Sequence, residues 1–291
     1  MMSLKEDITR SQDVQKLTLD GKFDPFEMGF AVVDLLPNSQ RIFGYNMDHF
    51  MYPASVSKVF IGAEVIRRVQ SGDFDLNQKV EVHSPNDVDV DIAIFRGDTR
   101  PLLRAGDSVT IDYLLNLMLS RSDNTASNVL IDLVGRDMIN KSIIDWNGWK
   151  GSEVTRKYMS RELEDPTFRN APVMKSCARH ITEFFVRVAS GNFSTLIMLQ
   201  KYMGRYDYGD RGGLWLPGAY NYYSCKGGRH DSKLRDGRMA HWLHDAGIVV
   251  GKRSNYVVAL MTLDKNDQPA SSFPMREFAQ ALYEYMESYK Y

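Results

Sequence analysis

The spacing of hydrophobic positions changes character along this chain. Residues 5–22 are polar with scattered apolar positions at Ile8, Val14, Leu17 and Leu19, which predicts an N-terminal helix. Met28–Leu35 is a nearly continuous apolar run of strand length. Leu36-Pro37-Asn38-Ser39-Gln40 reads as a turn and Arg41–Tyr45 as a second short strand, so the pair predicts an antiparallel hairpin. Helical spacing then takes over. Val56, Val59, Phe60, Ala63, Ile66 and Val69 mark one helix, preceded by Pro53 and ended by Ser71-Gly72-Asp73. Residues 74–110 read as loop-rich, and Thr110–Leu119, Asn124–Val134 and Asp137–Trp146 as helices. Residues 150–175, broken by Pro166 and Pro172, read as a long loop. Ser176–Ala189 and Ser194–Met203 continue the helices. After a Gly- and Tyr-rich stretch over 204–223, strands return as a short one from Arg238, then Trp242–Val250 and Asn255–Leu263. An amphipathic helix over Met275–Tyr289 closes the chain.

This order predicts one α/β layer made from both ends of the chain, residues 1–52 and 205–291, around an all-α lobe of residues 53–204. Composition narrows the function. The chain has 36 Lys plus Arg against 37 Asp plus Glu, a formal charge of −1, so electrostatics give no case for binding nucleic acid or an acidic membrane. No run approaches the roughly 18 apolar residues that a membrane helix needs. The N-terminus has no apolar signal-peptide core, so the expectation is a cytoplasmic chain or one whose leader has been removed. Two cysteines, Cys177 and Cys225, exclude a disulfide scaffold and read as buried free thiols. No phosphate loop, dinucleotide fingerprint or Gly-x-Ser-x-Gly elbow is present. His241 and His244 form a His-x-x-His without an identifiable third ligand and read as strand residues rather than a zinc site.

Three short motifs remain. Ser55 stands at the predicted start of a helix and Lys58 three residues on, on the same side of its first turn. A serine hydroxyl becomes a nucleophile when a neighbour takes its proton, and a lysine can do so when its surroundings lower its pKa. A Ser-x-x-Lys match alone is expected about once by chance in a chain of this length. Ser122-Asp123-Asn124 lies at a junction of helices and alone would read as a helix cap. A third element would pair a cation, to hold a substrate carboxylate, with a glycine, to let the substrate approach the backbone. Lys226-Gly227-Gly228 and Arg235-Asp236-Gly237 both qualify.

The ordered set is the signature of the penicillin-recognising active-serine hydrolases. The chain resembles that family, and the class A β-lactamases most closely, over roughly residues 28–290. Tyr52–Val65, Ile111–Leu133 and His244–Leu260 carry the likeness beyond the triplets. The resemblance implies an α/β plus all-α fold, in which an antiparallel sheet flanked by N- and C-terminal helices carries an inserted helical lobe. It implies a monomer acting without cofactor or metal on a small-molecule substrate, a β-lactam or a peptide-like amide. It also implies that Ser55 is acylated, Lys58 is the general base, Ser122 passes a proton to the leaving nitrogen and Asn124 contacts the substrate amide. Arg235 is favoured over Lys226 for the carboxylate because it stands closer to the strand beginning at His244. Gly237 would then be the motif glycine, and the N–H groups of Ser55 and Arg238 would form the oxyanion hole.

Two departures stand out. Neither third-motif candidate has the family's Lys followed by a hydroxyl residue. The family's Glu-x-x-Leu-Asn element, whose Glu activates the deacylating water, is missing. Aligning Val154-Thr155-Arg156 with the usual loop entry puts Arg161 at that position, with Glu162, Glu164 and Asp165 nearby as possible substitutes. Acylation with slow deacylation is therefore expected, with an esterase, a peptidase or a non-catalytic binding protein on the same scaffold as alternatives.

Overall fold

The computed structural model describes residues 4–19, 27–36, 41–91, 98–146, 148–190, 203, 222–234, 236–265 and 273–288. Its first elements are β1 (Lys5–Glu6), α1 (Ile8–Leu19), β2 (Met28–Asp34), β3 (Arg41–Tyr45) and a 3-10 turn, Ala54–Ser57. The helical segment contains α2 (Lys58–Gln70), β4 (Lys79–Glu81), β5 (Ser108–Thr110), α3 (Ile111–Ser120), α4 (Asn124–Val134), α5 (Arg136–Lys141) and a π-helical turn, Ser142–Trp146. Then follow α6 (Ala178–Ser190), β6 (Tyr222–Lys233), β7 (Met239–Val250), β8 (Asn255–Asp264) and α7 (Phe273–Ser288). The chain divides into two compact units. One holds the residues up to Val56, Ser176–Ser190 and the described residues from 222 onward; the other holds Ser57–Lys175 and Met203.

The first unit is built on a six-stranded sheet in the order β1-β3-β2-β8-β7-β6, antiparallel except for β1 beside β3. The predicted β2–β3 hairpin is present. β2 is buried along its whole length, which explains its continuous apolar run: the sheet is covered on both faces. Alternate residues point to opposite faces. Phe30, Val32, Val258 and Leu260 share a core with Val14 of α1 and with Met275, Phe278, Leu282 and Met286 of α7. The other face carries small residues in register, with Ala31 opposite Ala259 and Ala259 opposite Ala246. These alanines leave room for α6, which packs on β2, β7 and β8 and donates from Thr182 Oγ1 to Ala31 O at 3.1 Å. The sequence grouped this helix with the helical lobe. Its apolar residues Ile181, Phe184, Phe185 and Val188 are buried in the first unit instead.

β6 is the second departure from expectation. Its residues 224–233, Ser-Cys-Lys-Gly-Gly-Arg-His-Asp-Ser-Lys, have little intrinsic strand preference. Pairing makes the strand: Tyr222 to Lys233 run in unbroken antiparallel register with Val250 to Met239 of β7. Lys226 therefore lies within a strand rather than in a surface turn.

The second unit packs α2, α3, α4 and α5 together. Thr110 caps α3 by accepting from Tyr113 N at 3.2 Å, and Asp123 caps α4 by accepting from Ala126 N at 2.7 Å. Gly135, at φ 82°, ends α4 and opens α5. Among the described residues no helix is long and apolar enough to cross a membrane.

The ring of Phe278, fully buried, meets Phe30 edge-on at 4.9 Å between centroids. Phe278→Ala is expected to cost about 3–5 kcal/mol, read as a lowered denaturation midpoint in urea.

Candidate active site

The segment leading to Ser55 is held in an unusual conformation. Ala54 has φ 45°, a left-handed backbone that costs a non-glycine residue about 1–2 kcal/mol. Two anchors hold it within the first unit. Met51 forms a bridge with Ser176, with N···O distances of 2.9 and 3.0 Å. His244, fully buried on β7, reaches Tyr52 O with Nε2 at 2.8 Å, while its Nδ1 lies 3.1 Å from Thr262 N. An amide N–H can only donate, so Nδ1 accepts and Nε2 carries the proton. The ring is therefore neutral, and burial pushes its pKa down to about 4. Both nitrogens of His244 are thus spent inside the fold, and the other member of the His-x-x-His, His241, pairs with Asp231 Oδ1 at 2.7 Å. Ser55 is half-buried in the 3-10 turn that runs directly into α2.

β6 passes beside this segment. A Cβ built on Gly228 would lie 3.0 Å from both Ser55 N and Val56 N and 3.1 Å from Pro53 O. A side chain there would make the turn or the strand give by a few tenths of an ångström. Lys226, two residues earlier, shares that face of the sheet. It is 3% exposed and donates from Nζ to Gly227 O at 2.7 Å. Burial lowers its pKa to about 8, against the raising influence of Cys225 and Asp245. His230, next on that face, meets Tyr52 and Trp242 at 5.2 and 5.5 Å between ring centroids.

The other third-motif candidate lies at the tip of the β6–β7 hairpin. Arg235 itself falls outside the described residues. Gly237, at φ 92°, serves the tight turn, donating to Leu234 O at 3.0 Å. The backbone N–H of Arg238 is engaged by Asp236 Oδ1 at 3.1 Å, and its guanidinium pairs with the same exposed carboxylate at 2.7 Å.

In the second unit, Lys58 opens α2 with its side chain fully buried. Its Nζ lies 2.6 Å from Ser122 O, 2.7 Å from Asn124 Oδ1, 3.3 Å from Ser122 Oγ and 3.4 Å from Asp123 O. The middle residue of Ser122-Asp123-Asn124 does the capping. Asp123 is also paired with buried Arg121 at 2.8 Å. This leaves the flanking pair for Lys58, with Ser122 held at φ 65°. Asp89, buried, was not anticipated from the sequence. Its Oδ2 accepts from Asn124 N at 2.7 Å and Thr125 N at 3.1 Å, and its Oδ1 from Asn124 Nδ2 at 3.3 Å. It thereby turns the Asn124 amide so that Oδ1 faces Lys58. Burial and the nearby Asp123 charge raise the Asp89 pKa, opposed by Lys58 and by the two N–H donors.

The acidic residues of the 150–175 loop have other duties. Glu164 is buried, paired with Arg136 at 2.7 Å, and accepts from Lys157 N at 2.7 Å. Arg136 in turn stacks on Phe168, its guanidinium 3.8 Å from the ring centroid. Glu162 and Asp165 are exposed, and Arg161 donates to Arg169 O at 2.7 Å. From this loop it is Tyr158 that meets Lys58, its ring centroid 4.5 Å from Nζ. The only sequence signal for Tyr158 was its place four residues after Val154, at the loop entry.

A fold of this topology with a lysine clasped by a Ser-Asp-Asn triplet defines a class of protein. The family described as the β-lactamase enzyme family matches residues 9–286, and the chain belongs to it. Among solved structures, PBP-A superposes with a TM-score of 0.73 at 18% identity, covering 99% of this chain and 100% of that one. A class A β-lactamase from Bacteroides cellulosilyticus superposes with a TM-score of 0.71 at 20% identity, covering 95% and 96%. The fold is thus that of the class A β-lactamases. In sequence, the extended-spectrum β-lactamase PER-1 of Pseudomonas aeruginosa is 29% identical over 135 residues. That match spans 45% of this chain and 42% of PER-1.

Glu164→Gln would leave Arg136, 9% exposed, without its carboxylate. Loss of one partner of a buried pair is expected to cost about 3–5 kcal/mol. Urea denaturation would measure it; an unchanged midpoint would show that the loop does not depend on the pair.

Proposed function

We propose that the protein is an active-serine hydrolase that forms an acyl-enzyme on Ser55 with a carboxylate-bearing amide, a β-lactam or a related peptide-like compound, and releases it slowly. The observation that carries this reading is the convergence of Ser122 and Asn124 on Lys58 across more than sixty residues of chain. In the forward step Ser55 Oγ attacks the carbonyl carbon and its proton passes to Lys58. The carbon–nitrogen bond then breaks, and Ser122 delivers the proton to the leaving nitrogen. Of the two N–H donors on Asn124 Nδ2, one is held by Asp89 and the other is offered to the substrate.

For the substrate carboxylate the geometry supports Lys226 over Arg235. Gly228 lies against Ser55 N, so the strand bearing Lys226 runs alongside the nucleophile's backbone. The same proximity transfers the second oxyanion donor to the N–H of Arg229, which follows Gly228, since that of Arg238 is held by Asp236. Gly227 stands where the family carries a hydroxyl. That loss favours, as a second reading, an esterase or peptidase on the same scaffold that does not require the hydroxyl. Slow deacylation follows from the 150–175 loop: Glu164 is committed to Arg136, while Glu162 and Asp165 face solvent.

Intact-mass analysis after mixing with benzylpenicillin tests the reading, with Ser55→Ala as control. A long-lived adduct lost in the control is expected. Rapid release of hydrolysed penicillin would overturn slow deacylation, and labelling that persists without Ser55 would overturn the nucleophile. No adduct, with hydrolysis of short-chain p-nitrophenyl esters, would favour the second reading.

Lys226 also predicts a pH dependence. With its pKa near 8, the charge that attracts a carboxylate is present below that pH and lost above it. The penicillin concentration giving half-maximal acylation is expected to rise as pH passes through about 8. Lys226→Met should raise it at neutral pH and remove that dependence.

A further inference from the structure

We infer that Tyr158 is a positioning residue that completes an ammonium cage around Lys58. An ammonium group has three donors and no acceptor. Acceptors for those three donors lie around Lys58 Nζ, among them two main-chain carbonyls, the Asn124 amide oxygen and the Ser122 hydroxyl. A neutral amine donates to two of these acceptors and keeps its lone pair for the Ser55 proton, and the ammonium formed by that transfer can donate to a third. The Tyr158 ring, its centroid 4.5 Å from Nζ, adds the negative face of an aromatic quadrupole to this set.

Tyr158 is fixed from two sides. Its hydroxyl lies 2.7 Å from Ser57 Oγ, one residue before Lys58. Its main chain is clasped by the Asn128 amide of α4, which accepts from Tyr158 N at 2.8 Å and donates to Tyr158 O at 3.4 Å. The aromatic face is thereby set against the lysine rather than left to rotate with the loop. The chemical consequence concerns acylation. When Lys58 takes the Ser55 proton, positive charge grows on Nζ, and a π face already in place stabilises it without reorganisation. The proton then leaves Lys58 through the Ser122 hydroxyl, 3.3 Å away, for the leaving nitrogen.

The acylation arm of the test rests on the Ser55 reading; the stability arm does not. With benzylpenicillin, Tyr158→Phe keeps the ring and should acylate within about threefold of wild type. Tyr158→Leu keeps apolar bulk without a π face and should lower the maximal acylation rate about tenfold, with the half-saturating concentration unchanged. A packing role alone would be met by leucine, so equal rates for Leu and Phe variants would overturn the inference, as would a loss confined to half-saturation. Independently of substrate, the melting-temperature drop caused by Tyr158→Leu should be larger with Lys58 present than in the Lys58→Met background. Equal drops would overturn the cage. If Tyr158→Leu does not fold, Tyr158→Met carries both comparisons. If wild type is not labelled by penicillin, the acylation reading fails and the double-mutant comparison still decides the cage.

Discussion

A buried lysine has to be met by acceptors on every side or it destabilises the fold around it. In this chain the requirement falls on Lys58, and much of the second unit is arranged around it. The triplet that meets Lys58 adopts a left-handed backbone at Ser122. Such strain persists where surroundings over-determine it, and here they do. Asp123 is fixed by Arg121 and by its cap on α4, while Asn124 is turned by Asp89. Removing any one of these groups would leave a buried charged or polar partner unmatched.

The first unit solves a different problem with different means. The backbone before Ser55 is held in a strained turn close to a neighbouring strand. A neutral histidine, locked by Thr262 N–H and Tyr52 C=O, fastens the turn from the sheet side. Gly228 removes the side chain that would otherwise separate strand and turn. The row of alanines at Ala31, Ala259 and Ala246 lets α6 settle on the same sheet face, and the residue before α6's neighbourhood, Ser176, bridges back to Met51. The precision of the Ser55 backbone is thus a property of the sheet, not of the local sequence.

The loop from 150 to 175 divides its charged and aromatic groups between two neighbours, Arg136 and Lys58. A carboxylate is present at Glu164, but a buried arginine claims it. What the loop turns toward the lysine is an aromatic face. A carboxylate there could take up a proton, whereas an aromatic face offers only its quadrupole.

Much of this was legible in residue order alone. Apolar spacing placed the β2–β3 hairpin, the helices α2, α3 and α4 and the closing helix, because each is an element whose burial pattern repeats locally. The ordered motifs singled out Ser55, Lys58, Ser122 and Asn124, since their residue types and spacing are rare in combination. Tertiary structure decided the rest. β6 is a strand because β7 supplies its partners, not because Lys226-Gly227-Gly228 favours extended backbone, so the proposal of Lys226 over Arg235 rests on register. α6 shows the amphipathic spacing of any packed helix, and only the alanine row shows which surface receives it. Asp89 and Tyr158 lie in segments without periodicity, and their meeting with Asn124 and Lys58 depends on distances across the fold. A sequence records which groups are available; which of them share one buried space is set by packing.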